Sequence, residues 1–422
     1  MKERSIRIAV VCAAAAGIAF VIAAGYWFES ADFGFGSARS SLLRLTAVED
    51  SAEFADRNIA ALQMKRDTSN SLFRIGRRLV GPPEDPGYDM PSAGPLSGFL
   101  NNPEAQKNTR ELLGKNADVI RELQTFYEQK GGVQAILSPE QSEQSRSIRK
   151  ILSLYSDRMA VAVLERNRAQ AWRILEESEY FLTVSSLPTS LQGVSDFNIA
   201  LTIWQVEVFG CYINTFKLTA REVDQLTAQI QTLQTRLGDS FRCALGGECL
   251  ALYRNFSAGD ARISWRIDRY DDYFRQLERL PYNRWVQADR IFLIAEALSS
   301  RYCDFRNYST FSDSLRKLRR ETGDASPFVR NFCRPFWTLH RNGAGIYTQL
   351  QCELVKLAVL KYRNAEMRLP QTLAELSAVN LEKEAWIDPL TGRPFSYEVS
   401  PDETWFQVLH GGRNWGRAVF LP

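Results

Sequence analysis

Apolar residues recur along most of this chain at intervals of three and four positions, which places side chains on one face of an α-helix. Two such sets lie on either side of a polar turn at 165–170. The first set is Ile148, Ile151, Leu152, Tyr155 and Met159, and the second is Ala171, Ile174, Leu175, Phe181 and Leu182. We interpret the pair as a helical hairpin. Further helices are predicted at 196–215, 220–238, 260–280, 283–302, 310–321 and 343–364. The pattern therefore predicts a mostly α fold, an irregular multi-helix body with a large core.

Capping signals and breaks divide this pattern into elements. Asn102 followed by Pro103 predicts a helix start, and Ser138–Gln141 and Thr219–Glu222 predict capping boxes. Leu218 and Val223 flank the second box as a hydrophobic staple. Five prolines and three glycines within residues 81–95 indicate a loop. We divide the chain into a cytoplasmic N-terminus (1–7), a transmembrane helix or signal anchor (8–28), a helical stalk (29–80), a Pro/Gly-rich loop (81–99), a helical body (100–342) and a C-terminal module (343–422).

Residues 8–28 contain no charged side chain, which predicts a membrane-spanning helix. At about 1.5 Å per residue this segment spans roughly 30 Å, the thickness of a bilayer core. Lys2, Arg4 and Arg7 precede it and favour a cytoplasmic N-terminus. The alternative is a cleaved signal peptide, since small residues suited to a cleavage site lie at 23–25. Either interpretation predicts an exported body, periplasmic and tethered to the bacterial inner membrane if the segment is not cleaved.

The C-terminal module combines a helix with a turn-rich entry into a small antiparallel sheet. In the run DPLTGRPFSY, Asp388 is suited to cap a turn, Pro389 fixes one dihedral angle, and Gly392 supplies a left-handed residue. Pro394 ends the turn, after which Phe395 and Tyr397 are predicted to share one strand face, with Trp405 and Val408 from a partner strand.

This module resembles the C-terminal region of major pseudopilins of type II secretion systems, and the resemblance covers residues from about 343 onward. The whole arrangement is similar to bacterial envelope proteins in which a long helical region joins a membrane anchor to such a module. The resemblance implies architecture and no activity. Residues 7–9 lack the peptidase site of pseudopilins, and residues 410–417 contain no acidic side chain. Since calcium prefers carboxylate oxygens, we predict that no calcium binds there.

Six cysteines lie in the predicted exported part: Cys211, Cys243, Cys249, Cys303, Cys333 and Cys352. An even number in an oxidising compartment favours disulfides, without fixing which of them pair. Cys243 and Cys249 flank Gly246 and Gly247, which we interpret as a turn that closes a short ring. The alternative is a set of buried free thiols within helices.

Charge and motif content argue against several functions. The chain has 52 basic and 49 acidic residues, and this balance gives no indication of a nucleic-acid partner. We find no phosphate-binding loop, HExxH or GxSxG motif, and we predict no catalytic residue, metal ligand or cofactor. Of the two histidines, His340 and His410, we place the first at a solvent-facing helix end, with a position in a pocket as the alternative. Adjacent carboxylates such as Glu176–Glu177 and Asp271–Asp272 point in different directions on a helix and make poor catalytic pairs.

Two functions from different classes remain. The first is a membrane-anchored periplasmic scaffold or interaction protein, with the inner membrane and envelope proteins as partners and an oligomeric state left open. The second is a periplasmic polysaccharide or peptidoglycan hydrolase that uses two carboxylates across a cleft. A cluster of four cations, Arg316, Lys317, Arg319 and Arg320, either contacts anionic polymer or lipid headgroups or forms a solvated helix face, which is the ordinary interpretation.

Overall fold

The structure is a computed structural model that describes residues 40–42, 78–79, 99–129, 136–137, 142–184, 187–188, 191–257, 284–381, 383–410 and 419–420. These residues form a mostly helical fold with a small antiparallel sheet near the C-terminus. The α-helices are α1 (Pro103–Lys115), α2 (Ala117–Glu128), α3 (Ser142–Leu164), α4 (Arg168–Val184), α5 (Leu191–Ile203), α6 (Gly210–Thr215), α7 (Ala220–Ser257), α8 (Arg284–Arg301), α9 (Ser312–Gly323) and α10 (Pro327–Glu366). A π-helix (Trp204–Phe209) joins α5 to α6, and 3₁₀ helices lie at Phe305–Phe311, Leu373–Val379 and Lys383–Trp386.

Two long helices, α7 and α10, pack against each other more extensively than any other pair of described elements. Both are longer than their sequence pattern predicts. The prediction of a turn at Gly246 and Gly247 is wrong, because α7 continues through both glycines to Ser257. Burial of Leu245 and Leu252 on this segment outweighs the helix cost of glycine, about 1 kcal/mol each. Likewise α10 begins at Pro327, capped by the Ser326 hydroxyl, so the predicted module boundary at 343 falls inside a helix.

The predicted hairpin is confirmed as α3 and α4, which pack side by side. All ten apolar residues predicted for its inner faces are buried. Further along the chain, the helix predicted at 196–215 is confirmed as α5, the π-helix and α6, although it starts at Leu191. Trp204, Phe209 and Phe292 are fully buried in the core. The predicted helix at 260–280 lies outside the described residues.

Local capping follows the sequence closely where it is described. The Asn102 side chain accepts a hydrogen bond from the Ala105 N–H at 3.0 Å and starts α1. Thr219 and Glu222 form the predicted capping box, since the Glu222 N–H donates to Thr219 Oγ1 at 3.3 Å and the Thr219 N–H donates to Glu222 Oε2 at 2.7 Å. The capping box at 138–141 and the stalk and loop predicted within 29–99 lie almost wholly outside the described residues.

Five strands are present in the described parts of the chain. β1 (Ile136–Leu137) and β2 (Leu187–Pro188) pair in parallel, and β3 (Ser396–Val399), β4 (Trp405–Leu409) and β5 (Val419–Phe420) form the predicted antiparallel sheet. Tyr397 pairs with Val408. The assignment of Trp405 to the same face as Val408 is wrong, because residues three apart on a strand face opposite sides. Phe406 takes that place, with its ring centroid 6.3 Å from that of Tyr397.

The turn before β3 has the predicted geometry. The Leu390 N–H donates to Asp388 Oδ1 at 2.8 Å, and Gly392 is left-handed with φ +68°. Pro394 bridges to Ile387 and leads into the strand. The Ser309 N–H donates to the Pro389 carbonyl at 2.8 Å, which fixes this turn against the 3₁₀ helix Phe305–Phe311.

None of the helices that the structure describes is long and apolar enough to cross a bilayer. The predicted span at 8–28 and its basic flank at 1–7 lie outside those residues.

Candidate functional site

The four cations predicted to cluster on one helix are exposed on α9. Arg316, Lys317, Arg319 and Arg320 all lie at the surface, while Leu315 is buried and attaches the helix to the core. A helix with one buried stripe exposes the rest of its circumference, so four cations within five residues produce a dense positive surface.

The next helix extends this surface with arginines that sequence reasoning missed. Arg330, Arg334 and Arg341 are exposed on the first half of α10, at spacings of four and seven residues that place them on one face. No acidic residue occurs between Ala325 and Cys352. We call the seven cations Arg316, Lys317, Arg319, Arg320, Arg330, Arg334 and Arg341 the basic face.

The basic face has little internal neutralisation. Only Arg316 has a carboxylate within 4.0 Å among the described residues, namely Asp313 at 3.5 Å. Residues 312–345 contain seven Lys and Arg against three Asp and Glu, in a chain whose net charge is +3. This surface therefore carries most of the positive excess of the molecule.

Tyr308 links the two helices of the basic face. Burial raises the pKa of the Tyr308 hydroxyl, while the charges of Arg341 and Arg319 act to lower that pKa. The Tyr308 ring centroid lies 5.5 Å from that of His340, the neighbour of Arg341 on α10, and α9 packs against both α10 and the 3₁₀ helix that contains Tyr308. The exposed cations of α9 and α10 therefore lie on packed neighbouring helices and form one surface.

The interior beneath the basic face is aromatic and contains His340. The prediction that His340 lies at a solvent-facing helix end is wrong, because α10 continues past it and the side chain is 2% exposed. Its Nε2 lies 2.8 Å from the Tyr302 carbonyl, and its ring centroid lies 5.3 Å from that of Phe305 and 5.4 Å from that of Phe241. Burial lowers the pKa of His340, so the neutral imidazole is a packing residue.

A second cluster of charge lies inside the α3–α4 hairpin. Glu177 is fully buried and accepts hydrogen bonds from Tyr155 at 2.9 Å, Arg158 at 2.8 Å and Arg173 at 2.8 Å. Its neighbour Glu176 instead accepts from Gln225 on α7, so the two carboxylates point apart as predicted. Side-chain donors of the same chain use both oxygens of the buried Glu177, so we interpret the cluster as structural. Asp271 and Asp272 lie outside the described residues.

Two carboxylates meet where α3 contacts the π-helix. Burial and the charge of Glu207 raise the pKa of Asp157 to about 7. Glu207 accepts a hydrogen bond from the Ser156 hydroxyl at 2.5 Å. Both acids are only partly buried. A carboxyl group with a raised pKa beside a second carboxylate is an arrangement that favours acid–base chemistry.

A buried acid caps the first turn of α5. Glu248 on α7 accepts a hydrogen bond from the Leu191 N–H at 2.9 Å. Burial raises the pKa of Glu248 from 4.5 to about 7, although that hydrogen bond opposes the shift. Since the folded state holds a proton that the unfolded chain releases, stability falls as pH rises from about 4.5 to about 7.

We expect Glu248→Gln to stabilise the protein at high pH, because glutamine mimics the protonated acid and keeps the acceptor for Leu191. The gain at about pH 8 is about 1–3 kcal/mol, and it vanishes near pH 4.5. Urea unfolding at both pH values measures it, with the exposed Glu398→Gln as control. A variant less stable than the parent at pH 8 would show that the carboxylate is needed in its ionised form.

The six cysteines of the described chain are free thiols. Five of the six are buried, as the alternative of buried thiols has it, and the disulfide interpretation of the set stays a prediction. A ring between Cys243 and Cys249 is excluded by geometry. Six residues on one helix rise about 9 Å, whereas a disulfide requires Cα atoms within about 7 Å.

We expect a thiol reagent to modify Cys243 alone among these six in the folded protein, since it is the exposed one. Burial and the charge of Asp239 raise the pKa of Cys243, so modification is slow near neutral pH. Mass spectrometry after alkylation with and without denaturant measures this. A change in gel mobility on reduction, or a disulfide-bridged peptide in the digest, would show that these cysteines form disulfides.

The C-terminal turn brings Cys352, Asp388 and His410 into one neighbourhood. His410 Nδ1 lies 3.4 Å from Asp388 Oδ2, and the Cys352 thiol donates to the Val408 carbonyl at 3.3 Å. Burial raises the pKa of Cys352 to about 12, so the reactive thiolate is absent at neutral pH. Burial also raises the pKa of Asp388, but hydrogen bonds from His410 and from the Leu390 N–H outweigh it and lower the pKa overall. The group supports the turn and has no activated nucleophile.

No group of three or more His, Cys, Asp or Glu side chains in the described parts of the chain is placed to hold a metal ion. Most of the stretch at 410–417 lies outside those parts, so the prediction that it binds no calcium stays a prediction. Comparison with known proteins gives no matching family model, curated protein or solved structure.

Proposed function

We propose that this chain is a membrane-anchored scaffold or interaction protein of the bacterial cell envelope. Its N-terminal segment at 8–28 holds it in the inner membrane as a single-pass anchor, and its helical body and pseudopilin-like C-terminal module lie in the periplasm. The basic face is the surface through which the body recognises an anionic partner.

The observation that carries this proposal is the contrast between buried and exposed charges. Inside the α3–α4 hairpin every oxygen of Glu177 is used by a donor of the same chain. On the basic face six of seven cations have no carboxylate within 4.0 Å among the described residues. Concentrated charge without an internal partner steers association and selects partners of opposite sign.

Crosslinking in intact cells tests the proposal. The chain is purified after crosslinking, and its neighbours are identified for the parent, for the variant Arg330→Gln/Arg334→Gln/Arg341→Gln, and for the matched control Lys115→Gln/Arg149→Gln/Lys150→Gln. The control removes three exposed cations elsewhere on the body. We expect the first variant alone to lose neighbours. Equal recovery from all three proteins would contradict a role for the basic face.

The compartment is tested separately with a reporter enzyme that is active only after export, fused after Pro422. We expect activity, because residues 8–28 carry the body across the membrane with residues 1–7 left inside. No activity from this reporter, together with activity from a second reporter that works only in the cytoplasm, would remove the envelope from the proposal and leave the basic face as a surface for a cytoplasmic partner.

Asp157 and Glu207 favour one second candidate, a periplasmic hydrolase of polysaccharide or peptidoglycan. Asp157, whose pKa lies near 7, would serve as the general acid, and Glu207 as the base or nucleophile. Release of soluble fragments from purified peptidoglycan, lost in both Asp157→Asn and Glu207→Gln, would establish it. No release by the parent protein would exclude it for that substrate.

A further inference from the structure

The side chains of the basic face indicate the chemical class of its partner, and this inference rests on the proposed function. We infer that it binds the anionic phospholipid headgroups at the surface of the bilayer that the N-terminal segment enters. The body then rests against the membrane along α9 and the first half of α10.

The chemistry of the cations fits phosphate. Six of the seven are arginines. The guanidinium group is planar, always charged, and pairs with two phosphate oxygens at once, whereas lysine acts as a point charge. An arginine-rich surface is therefore suited to phosphodiester groups in particular.

The geometry fits an array of headgroups. Along α10, Arg330 and Arg341 are eleven positions apart, which corresponds to about 16 Å of helix. Trp337 lies between Arg334 and Arg341, but it packs against the core with its indole nitrogen buried, so the surface here is made by the cations. Seven cations spread over two packed helices form an extended surface, which is suited to several headgroups at once.

An acidic protein is the other class of partner, and the surface is less suited to it. Protein interfaces have an apolar centre in which a few large side chains supply most of the affinity. Among the described residues the exposed large apolar side chains are Val286, Leu293 and Met367, and none belongs to residues 312–345. The basic face has charge without such a centre, which is typical of electrostatic contact with a lipid surface.

The predicted anchor strengthens the contact. Because the body is tethered to the same bilayer, binding of the basic face is intramolecular and has a high effective concentration. Each cation near an anionic surface contributes about 1 kcal/mol at physiological salt, so six such cations are sufficient for docking. High salt weakens this contact, since the Debye length falls to about 3 Å at 1 M.

Acylation of single lysines measures the docking. The full chain is reconstituted in liposomes of phosphatidylglycerol or of phosphatidylcholine, treated with an amine-reactive ester, and digested for mass spectrometry. Lys317 reports on the basic face, and Lys107 on exposed α1 is the internal control. We expect Lys317 to react at least 10-fold more slowly in phosphatidylglycerol, Lys107 to be unchanged, and 1 M salt to abolish the difference.

The variant Arg330→Gln/Arg334→Gln/Arg341→Gln is expected to restore the Lys317 rate, since loss of three cations weakens docking about 100-fold. Lys115→Gln/Arg149→Gln/Lys150→Gln keeps the protection. If Lys317 is protected equally well in phosphatidylcholine liposomes, or by free glycerol phosphate added to those liposomes, the proposal that the basic face binds anionic headgroups at a bilayer surface is wrong. A third outcome is that Lys317 is not protected by phosphatidylglycerol, while the arginine variant still loses crosslinked neighbours in cells. That outcome would show that the basic face binds an acidic protein and not lipid headgroups, and it would leave the proposed function standing.

Discussion

Glu177→Gln is expected to destabilise the protein by about 3–5 kcal/mol. Glu177 is the only carboxylate within 4.0 Å of the Arg158 guanidinium among the described residues, and the Arg158 side chain is 6% exposed. Glutamine keeps the shape of the side chain but removes its charge. The guanidinium then stays in a low-dielectric interior without a counter-ion, and Tyr155 loses a charged acceptor.

Urea unfolding of the purified full chain, followed by circular dichroism, measures this loss. The matched control is Arg173→Gln, which removes the half-exposed partner of the same carboxylate and should cost no more than about 1 kcal/mol. The double variant Arg158→Met/Glu177→Leu should regain most of the stability, because it removes both charges. A loss equal for Glu177→Gln and Arg173→Gln would show that Arg158 is solvated.

Phe305→Ala is the second large effect, with an expected loss of about 3–5 kcal/mol. The Phe305 ring is 1% exposed, and its centroid lies 6.2 Å from that of Phe241 and 6.4 Å from that of Tyr347. It also lies against the backbone of α10, where a Cβ added to Gly343 would approach Phe305 Cζ to 2.9 Å. Truncation leaves a cavity where α7, α10 and the 3₁₀ helix meet.

The control for this prediction is Phe311→Ala in the same 3₁₀ helix, where the ring is only partly buried. It should cost less than half as much as Phe305→Ala. Tyr308 lies between Phe305 and Phe311 in the same 3₁₀ helix. Phe305→Ala should therefore also displace Tyr308, disturb the surface near Arg319 and Arg341, and lower the lipid protection of Lys317. Near-equal losses for the two variants would show that Phe305 is not central to the packing.

Local signals predicted much of the fold because they depend on neighbouring residues. The hairpin of α3 and α4 follows from its apolar spacing, and the starts of α1 and α7 follow from Asn102 and Thr219. The turn at Asp388 was predicted from a side chain that bonds to N–H groups two and three residues ahead.

The predictions that depend on tertiary contacts were the ones that failed. Two glycines in α7 predicted a turn, but burial of the surrounding side chains against α10 keeps the helix intact. His340 was placed at an end because α10 was predicted to begin only at 343. The same error left three of the seven cations of the basic face unrecognised. Arg330, Arg334 and Arg341 are separated in sequence by buried residues such as Cys333 and Phe336, so their common face is visible only once the helix is known.

Site-specific photo-crosslinking in living cells tests most directly whether the basic face is an interaction surface. A photoreactive amino acid is placed at Lys317, and at Lys150 on α3 as an equally exposed control. We predict lipid adducts, or adducts to one defined envelope protein, from position 317 and none of these from position 150. Position 317 yielding no adduct, or the same products as position 150, would contradict the account.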